Sequence, residues 1–251
     1  MVSSYNRWRL LELCVLSLYN TAAALTDWEC IVVDDGSTDE TLAWLARWRA
    51  EARVRNITNF RYVRRMKNIG RSNCVALPRN CGLREARGNY VAFVDGDCFA
   101  CSDAINGTIK WIKWVEASSA KLFLTSGCWW RIDRKRDPFG KPAAYLPLGP
   151  RGANSSVPFG PWFAMKRKAL LDIGGFDERF TTYGAEDEDL ITRLMRLGYL
   201  PERSPGLIFI HLWHVPGVYD RDELQYATQM KISRDDKTNI RNEDVEWGAL
   251  V

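Results

Sequence analysis

The sequence predicts an α/β fold, with a doubly wound, mostly parallel, Rossmann-like sheet and helices on both faces. Apolar runs at 29–33 and 90–94 are rich in β-branched and aromatic residues, as expected of strands buried on both faces. A third strand is predicted at 60–64, and stretches with helical periodicity separate the three. Strands that alternate with helices in this way form parallel sheets with right-handed crossovers.

Three helices are predicted in the first half of the chain. The first begins at Asn6, a suitable N-cap for the apolar residues that recur behind it with helical spacing. The second covers 38–50, because Ser37 and Glu40 form a capping box at its start. The third lies around 80–87.

The second half of the chain has a different texture. In order, it is predicted to contain a helix at 105–117, strands at 121–129 and 163–165, a helix at 166–173 that stops at Gly174-Gly175, a helix from Glu186 to Gly198 and a strand at 207–210. We interpret residues 131–157 as a long loop, either a substrate lid or a plain surface excursion. Residues 217–251 are predicted to form a C-terminal helical extension or tail.

Composition is that of a folded globular protein, with 46% apolar and 26% charged residues. The formal charge of +4 does not indicate a nucleic-acid partner, although it suits a negative nucleotide or a membrane surface. No apolar run approaches the roughly 20 residues of a membrane helix, and no signal-peptide pattern opens the chain. The seven cysteines lack paired metal-ligand spacing, which is typical of buried thiols in a reducing compartment. We therefore expect a cytoplasmic protein with peripheral membrane association as an option, and no oligomeric state is indicated.

Two carboxylates end the strand at 90–94. Asp95 and Asp97 are separated by Gly96, which lets the backbone turn tightly and approach a ligand. They are predicted at the carboxyl edge of the sheet, where open α/β folds bind ligands. Neighbouring acids repel, so the pair needs a cation between them or a proton on one. The alternative is a strand followed by an Asp-Gly turn.

A second acidic cluster opens the helix that begins at Glu186, where Asp187, Glu188 and Asp189 follow in succession. The helix dipole favours acids in a first turn, but four go beyond what capping requires. Mutual repulsion raises their pKa values while the dipole lowers them, which leaves at least one carboxylate available as a base near neutral pH. The alternative is an over-acidic helix start that faces solvent.

The chain has only two histidines, His211 and His214, and both follow the strand at 207–210. Imidazole with carboxylate ligands suits Mn²⁺, whereas sites built from oxygen alone suit Mg²⁺. Taken alone, a pair of histidines after a strand is more often structural. Together with the acidic clusters, they become candidate metal ligands.

Several short motifs follow one another along the chain. They are Tyr5-Asn6-Arg7, 32–39, Asn68-Ile69-Gly70, 79–82, 94–97, 174–178, Glu186-Asp187 and His211. In order and spacing they resemble a GT-A glycosyltransferase of family 2, over roughly residues 5–216. The stretch from 174 to 187 also resembles the C-terminal part of galactosyl- and N-acetylgalactosaminyltransferases, and of bacterial chondroitin-type polymerases. The implied domain is 1–216, with a nucleotide-binding half at 1–104 and an acceptor and catalytic half at 105–216.

The resemblance implies a set of residues for the nucleotide. The uracil and ribose pocket would be formed by Tyr5, Asn6, Asp34 and Asp35. Arg79 would lie on the nucleotide side of the site.

The resemblance also implies the metal and catalytic residues. Asp95-Gly96-Asp97 matches the family's Asp-x-Asp motif, in which the second acid binds the metal and the first holds ribose or metal-bound water. His211 matches a third-ligand histidine, and His214 is expected near the diphosphate. Asp187 matches the catalytic base, and Glu186 an acceptor-binding acid.

The implied reaction is metal-dependent, inverting transfer of a hexose or N-acetylhexosamine from a UDP-sugar to a glycan or another hydroxyl acceptor. Mn²⁺ or Mg²⁺ would neutralise charge on the diphosphate leaving group, while a carboxylate on the opposite face takes the acceptor's proton. A retaining transferase on the same fold is the alternative. A sugar-1-phosphate nucleotidyltransferase is disfavoured, because no Gly-rich phosphate loop follows the first strand. Trp129, Trp130 and Trp162 are candidate sugar-stacking platforms, although core packing is the favoured interpretation for each.

Two features depart from the family pattern. Only Val2-Ser3-Ser4 precedes Tyr5, where family members carry a full apolar strand, so we expect this strand to be trimmed or lost. Its loss would leave an inactive nucleotide-sugar binding module, which is the rival hypothesis from another class. Residues 73–78 lengthen the gap ahead of Arg79, and this insertion is expected to displace Arg79.

Overall fold

A computed structural model describes residues 1–22, 25, 27–66, 74–131, 161–182, 184–214, 223–243 and 245–249, without the side chains of 127–131 and 223. The motif Asn68-Ile69-Gly70, the loop predicted beyond residue 131 and the side chains of Trp129 and Trp130 lie outside the described residues. The strands are β1 (Val2–Ser4), β2 (Cys30–Asp34), β3 (Phe60–Arg64), β4 (Tyr90–Asp95), β5 (Cys98–Ala100), β6 (Leu122–Arg131), β7 (Trp162–Lys166) and β8 (Leu200–His211). The helices are α1 (Trp8–Thr21), α2 (Thr41–Val54), α3 (Ala76–Glu85), α4 (Ala104–Ser118), α5 (Arg167–Asp172), α6 (Glu186–Arg196) and α7 (Glu223–Asp235).

The eight strands form one sheet in the order β3-β2-β1-β4-β7-β6-β8-β5. The first four in this order run parallel, which confirms the α/β class predicted for the chain. The other half is mixed, because β7 runs antiparallel to both of its neighbours and β5 runs antiparallel to β8. No helix within the described ranges combines the length and the apolar character needed to cross a membrane.

Helices cover both faces of the sheet, and alternate residues of the central strands pack against each face. On β2, Cys30 and Val32 join one core together with α1, α2 and α4. Ile31 and Val33 join the opposite core together with α3, α5 and α6. This alternation makes the sheet doubly wound, as predicted, and buries every residue of β2.

The first strand is short but present, so the expectation that it is lost was wrong. Val2 pairs with Val32 on one side and with Val94 on the other, which places β1 at the centre of the parallel half. Val2 is fully buried. A strand that is hydrogen-bonded on both edges needs few residues to hold its register. The hypothesis of an inactive module depended on the loss of this strand, and that loss is not observed.

The predicted helix caps were wrong, because the polar side chains bond across loops instead of along their own helices. Asn6 has a left-handed backbone, and its side-chain oxygen accepts hydrogen bonds from the N–H groups of Thr38 and Asp39. Ser37 accepts a hydrogen bond from the N–H of Asn6, and α2 starts only at Thr41. Together these bonds tie the β1–α1 loop to the β2–α2 loop at the carboxyl edge of the sheet.

The C-terminal segment packs against α6 instead of forming a loose tail. Arg241 is buried and pairs with Asp177 at 3.0 Å and with Asp189 at 3.1 Å. Asp189 also accepts a hydrogen bond from Arg193 at 2.7 Å, and both of these side chains are fully buried. The two buried acids are therefore neutralised by cations from two separate parts of the chain.

Truncation of Arg241 is expected to lower the free energy of unfolding strongly. Among the described residues, Arg241→Ala leaves buried Asp177 paired only with the half-exposed Arg179, and buried Asp189 only with Arg193, at a cost of about 3–5 kcal/mol. Urea unfolding followed by tryptophan fluorescence measures this loss. Arg234→Ala, on the exposed side of α7, is the matched control and should stay within about 0.5 kcal/mol of the parent. Equal losses in both variants would contradict the assignment of the buried network.

Candidate functional site

The turn after β4 carries the first acidic pair, and its glycine is required by packing. A Cβ on Gly96 would lie 2.8 Å from the backbone oxygen of Ser3, closer than real Cβ contacts allow. The tight turn therefore lets the Asp95–Asp97 segment pass over the end of β1. Asp95 remains half exposed, whereas Asp97 is buried.

Both histidines meet Asp97, because β5 brings the turn beside β8. Cys98 of β5 pairs with His211 of β8, which places the imidazole Nε2 3.6 Å from Asp97 Oδ1. His214 Nε2 lies 3.1 Å from Asp97 Oδ2, and Arg7 donates a hydrogen bond to the same oxygen. Burial alone would raise the pKa of Asp97, but the hydrogen bond from His214 and the charges of His211 and Arg7 hold that pKa well below its usual range.

The donor set around Asp97 fits a divalent transition metal. One ligand atom each from Asp97, His211 and His214 lie within 4.8 Å of one another. Two imidazoles and a carboxylate suit Mn²⁺ better than Mg²⁺, which prefers oxygen ligands. The structure thus brings the predicted ligands Asp97 and His211 together with His214, which the family resemblance places near the diphosphate and not among the ligands. Asp95 forms a second such group with Asp97 and Cys98, although its carboxylate is also bonded elsewhere.

Two acids of the second cluster are occupied by partners from outside the cluster. The Tyr226 hydroxyl, from α7, donates to the Glu188 carboxylate at 2.9 Å. Asp189 accepts from Arg193 and from the hydroxyl of Ser233, at 2.7 and 2.8 Å. These contacts explain why a helix start tolerates so many acids, because they bond Glu188 and Asp189 to other parts of the fold.

The other two acids of the cluster face the first acidic pair. Glu186 is buried and accepts hydrogen bonds from the Gly184 N–H and from Arg79. Asp187 is half-buried, and among the described residues its hydrogen bond comes from the backbone N–H of Glu188. Burial raises the pKa of Asp187, although the charge of Arg79 lowers it. Asp187 is therefore the carboxylate of the four that is best placed to accept a proton.

Arg79 joins the two acidic regions. Its guanidinium donates to Asp95 at 3.0 Å and to Glu186 at 3.2 Å, and it stacks over the ring of Phe176. Burial would lower the pKa of Arg79, but the charges of Asp95 and Glu186 raise it above the usual value. The insertion at 73–78 does not remove Arg79 from the site, because Cys74 to Pro78 lead into and form the first turns of α3. Its predicted role on the nucleotide side stays a prediction.

The predicted nucleotide pocket has a polar floor that is already bonded. Asp34 accepts a hydrogen bond from the Ser37 N–H at 3.0 Å, and its second oxygen is buried 3.6 Å from Arg64 Nε. Asp35 pairs with Arg65 at 2.7 Å. Both acids lie at the end of β2, at the same sheet edge as Asp95. Tyr5 and Asn6 lie at the end of β1, although the Asn6 side chain is turned toward the β2–α2 loop.

Sequence analysis missed two of the cations that face these acids, whereas the packing of Trp162 agrees with the favoured interpretation. Arg7 is the last residue of the Tyr5-Asn6-Arg7 motif and Arg65 follows the strand predicted at 60–64, but nothing in their spacing indicates which acid each contacts. Trp162 is buried, donates to Thr108 and stacks on Phe209, which favours core packing over sugar stacking. Each partner comes from a distant part of the chain, so only the fold reveals it.

Family models match most of this chain. Residues 1–174 match the model of glycosyl transferase family 2. Residues 151–215 match a model described as the N-terminal domain of galactosyltransferase. The second match covers the start of α6, where Glu186 and Asp187 lie.

Curated relatives share a modest fraction of residues over most of the chain. An uncharacterized glycosyltransferase of Bacillus subtilis is 24% identical over 91% of this chain and 69% of its own length. The validoxylamine A glucosyltransferase of Streptomyces hygroscopicus subsp. jinggangensis is 23% identical over 94% of this chain and 58% of its own. The chondroitin synthase of Escherichia coli is 28% identical over 84% of this chain, which spans 34% of that enzyme.

Solved structures with the same fold include complexes with nucleotides. A mannosyltransferase of Pyrobaculum calidifontis, in complex with GDP-Man and Mn²⁺, has a TM-score of 0.65 and 21% identity over 94% of this chain and 64% of that one. TarS of Staphylococcus aureus with UDP-GlcNAc has a TM-score of 0.61 and 21% identity, over 98% and 66% of the two chains. GalNAc-T7 with UDP, GalNAc and Mn²⁺ has a TM-score of 0.66 and 14% identity, over 93% and 47%. At these identities the likeness confirms the GT-A fold.

The stability of the protein is expected to depend on the ionisation of Glu186. Burial and the charge of Asp187 raise the pKa of Glu186 from an ordinary value of 4.5 to about 7. The folded state therefore holds this proton more tightly, so its stabilising contribution is complete below about pH 4.5 and is lost as the pH rises through about 7.

Glu186→Gln removes this proton linkage. From pH 5 to pH 8, the free energy of unfolding of the parent should fall relative to that of Glu186→Gln by about 2 kcal/mol. Urea unfolding at both pH values gives the difference. Glu116→Gln, an exposed carboxylate of α4, is the control and should follow the parent at both. A constant offset between the parent and Glu186→Gln would contradict the raised pKa.

Proposed function

Because the chain belongs to glycosyl transferase family 2, we propose that it transfers a hexose or N-acetylhexosamine from a UDP-sugar to a glycan or another hydroxyl acceptor. We further propose that the reaction depends on a divalent metal and inverts the anomeric centre. The observation that carries this proposal is the meeting of two acidic regions at one edge of the sheet. Arg79 bonds to Asp95, which lies two residues before Asp97, and to Glu186, which directly precedes Asp187.

The donor side is proposed to hold the nucleotide diphosphate and its metal. Asp97, His211 and His214 would bind Mn²⁺, and Asp95 would hold ribose or metal-bound water. When bound, the metal neutralises charge on the diphosphate leaving group. Asp34 and Asp35, at the end of β2, are proposed for the uracil and ribose pocket together with Tyr5. The structures of similar proteins hold UDP in two cases and GDP in one, which supports a nucleoside diphosphate.

The acceptor side is proposed to supply the base. Asp187 would take the proton from the acceptor hydroxyl. At the same time the acceptor oxygen forms a bond to the anomeric carbon, and the bond between that carbon and UDP breaks. Its half-buried position gives a substrate access, while Tyr226 occupies the neighbouring Glu188. A raised pKa makes a carboxylate a stronger base, which suits this role. Glu186, fixed by Arg79, is proposed to contact the acceptor.

This arrangement also supports the proposed division of the chain. Residues 1–104 supply the nucleotide-binding side and Asp97, and residues 105–216 supply the acceptor side. The histidines come from the second part, so the metal site would form only when β8 packs beside β5. Residues 217–251 contribute α7. Its Tyr226 donates a hydrogen bond to Glu188 and so leaves Asp187 as the proposed base.

Metal-dependent nucleotide binding is the first expected outcome. Calorimetric titration of UDP should give binding in the presence of Mn²⁺ and no binding with excess chelator. Asp97→Asn, which removes the ligand charge, should weaken UDP binding by about tenfold or more. Asp172→Asn, an exposed carboxylate of α5, should bind UDP as the parent does. Equal UDP binding with Mn²⁺ and with chelator would refute the metal-dependent donor site.

Loss of the proposed base should separate transfer from binding. Asp187→Asn is expected to lower turnover by about 10²–10⁴-fold, because the amide cannot accept the proton. UDP affinity should stay within twofold of the parent. Release of UDP from a panel of UDP-sugars, with glycan acceptors present, measures the turnover.

Glu188→Gln is the matched control for Asp187→Asn. Its amide oxygen can still accept the hydrogen bond of Tyr226, so its turnover should equal that of the parent. Transfer that survives in Asp187→Asn, or that is lost equally in both variants, would exclude Asp187 as the base.

A further inference from the structure

Arg7 contacts two of the ligand atoms that a metal at this site would bind. Its guanidinium donates a hydrogen bond to Asp97 Oδ2, and Nη1 lies 3.2 Å from His214 Nε2. A metal binds lone pairs on both of these atoms. The guanidinium bonds to the Asp97 oxygen and lies against the His214 nitrogen that a metal would bind, so Arg7 and the metal compete for one position.

Charge makes the competition stronger. Two cations on one carboxylate repel each other, and the carboxylate of Asp97 is buried, where solvent screens this repulsion weakly. Arg7 must therefore leave Asp97 when a divalent cation arrives. Arg7 precedes α1 in a loop at the sheet edge, and 27% of its side chain is exposed, so its long side chain has space to move.

Two other arginines among the described residues of the site are too deeply buried for the same exchange. Arg79 is 7% exposed and holds two acids at once, and Arg65 is 3% exposed against Asp35. A nucleotide diphosphate brings negative charge that a cation can neutralise. Within the described part of the chain, Arg7 is the arginine that contacts Asp97, and its side chain is partly accessible.

We propose that Arg7 is an exchangeable counter-ion, which pairs with Asp97 in the metal-free protein and moves to the diphosphate when metal and nucleotide bind. The proposal rests on the donor site given under the proposed function. It adds a diphosphate-binding residue, and it predicts that Mn²⁺ and UDP each strengthen the binding of the other. Such coupling is reciprocal by thermodynamic necessity.

The test compares Arg7→Met with Arg9→Met, an exposed arginine of α1 that stacks on Trp8. Free Mn²⁺ is measured by electron paramagnetic resonance during titration of each protein without nucleotide. Arg7→Met should bind Mn²⁺ about tenfold more tightly than the parent, because the competitor is absent. At saturating Mn²⁺, calorimetry should show UDP binding that is about tenfold weaker in Arg7→Met. Arg9→Met should match the parent in both titrations.

Opposite changes in the two affinities distinguish this exchange from a loss of folding, which would weaken both. Arg7→Lys keeps the charge and should lie between Arg7→Met and the parent in each titration. Mn²⁺ affinity in Arg7→Met that is equal to or below that of the parent would overturn the proposal, since Arg7 would then orient Asp97 for the metal. Tighter Mn²⁺ with unchanged UDP affinity would overturn the move to the diphosphate. Absence of both Mn²⁺ and UDP binding in the parent and all variants would overturn the donor site itself.

Discussion

The arrangement of the site depends on one buried cation between two groups of acids. Arg79 holds Asp95, at the end of β4, and Glu186, at the start of α6. Without it, buried Glu186 would lose its cationic partner and the charges of Glu186 and Asp95 would repel each other. Because Arg79 belongs to α3, which is packed into the core on one face of the sheet, the distance between the acidic regions is set by the fold.

The C-terminal helix sorts the acids at the start of α6 by function. Gln229 of α7 is buried, accepts hydrogen bonds from Thr182 and donates to the Gly184 carbonyl at 2.6 Å. The same turn presents the Gly184 N–H to Glu186. Because Glu188 and Asp189 are bonded to residues of α7, the helix start is tied to the C-terminal helix, whereas Asp187 has one backbone hydrogen bond among the described residues.

Local patterns predict the elements of this fold well, and contacts between distant segments explain what they miss. The strands β2, β3 and β4 and the start of α6 follow from apolar runs and helical spacing, which a short window of sequence contains. The caps failed because Asn6 and Ser37 bond to each other's loops. The sequence places Asp97 and His211 among the candidates, but the short strand β5, which brings them together, is too brief to give a periodic signal.

The cations of the site divide into fixed and exchangeable groups, and burial decides which is which. Arg65 and Arg79 are almost fully buried. If either moved away from its acid, the guanidinium charge would be left buried without a counter-ion. Arg7 pairs with a buried acid but keeps part of its own side chain in solvent, so it loses less when that contact breaks. Fixed cations hold the acids of the site together before any ligand binds. An exchangeable cation leaves its acid when a metal ion binds there. The sheet edge at the end of β4 has both kinds of cation, because Arg79 pairs with Asp95 and Arg7 pairs with Asp97.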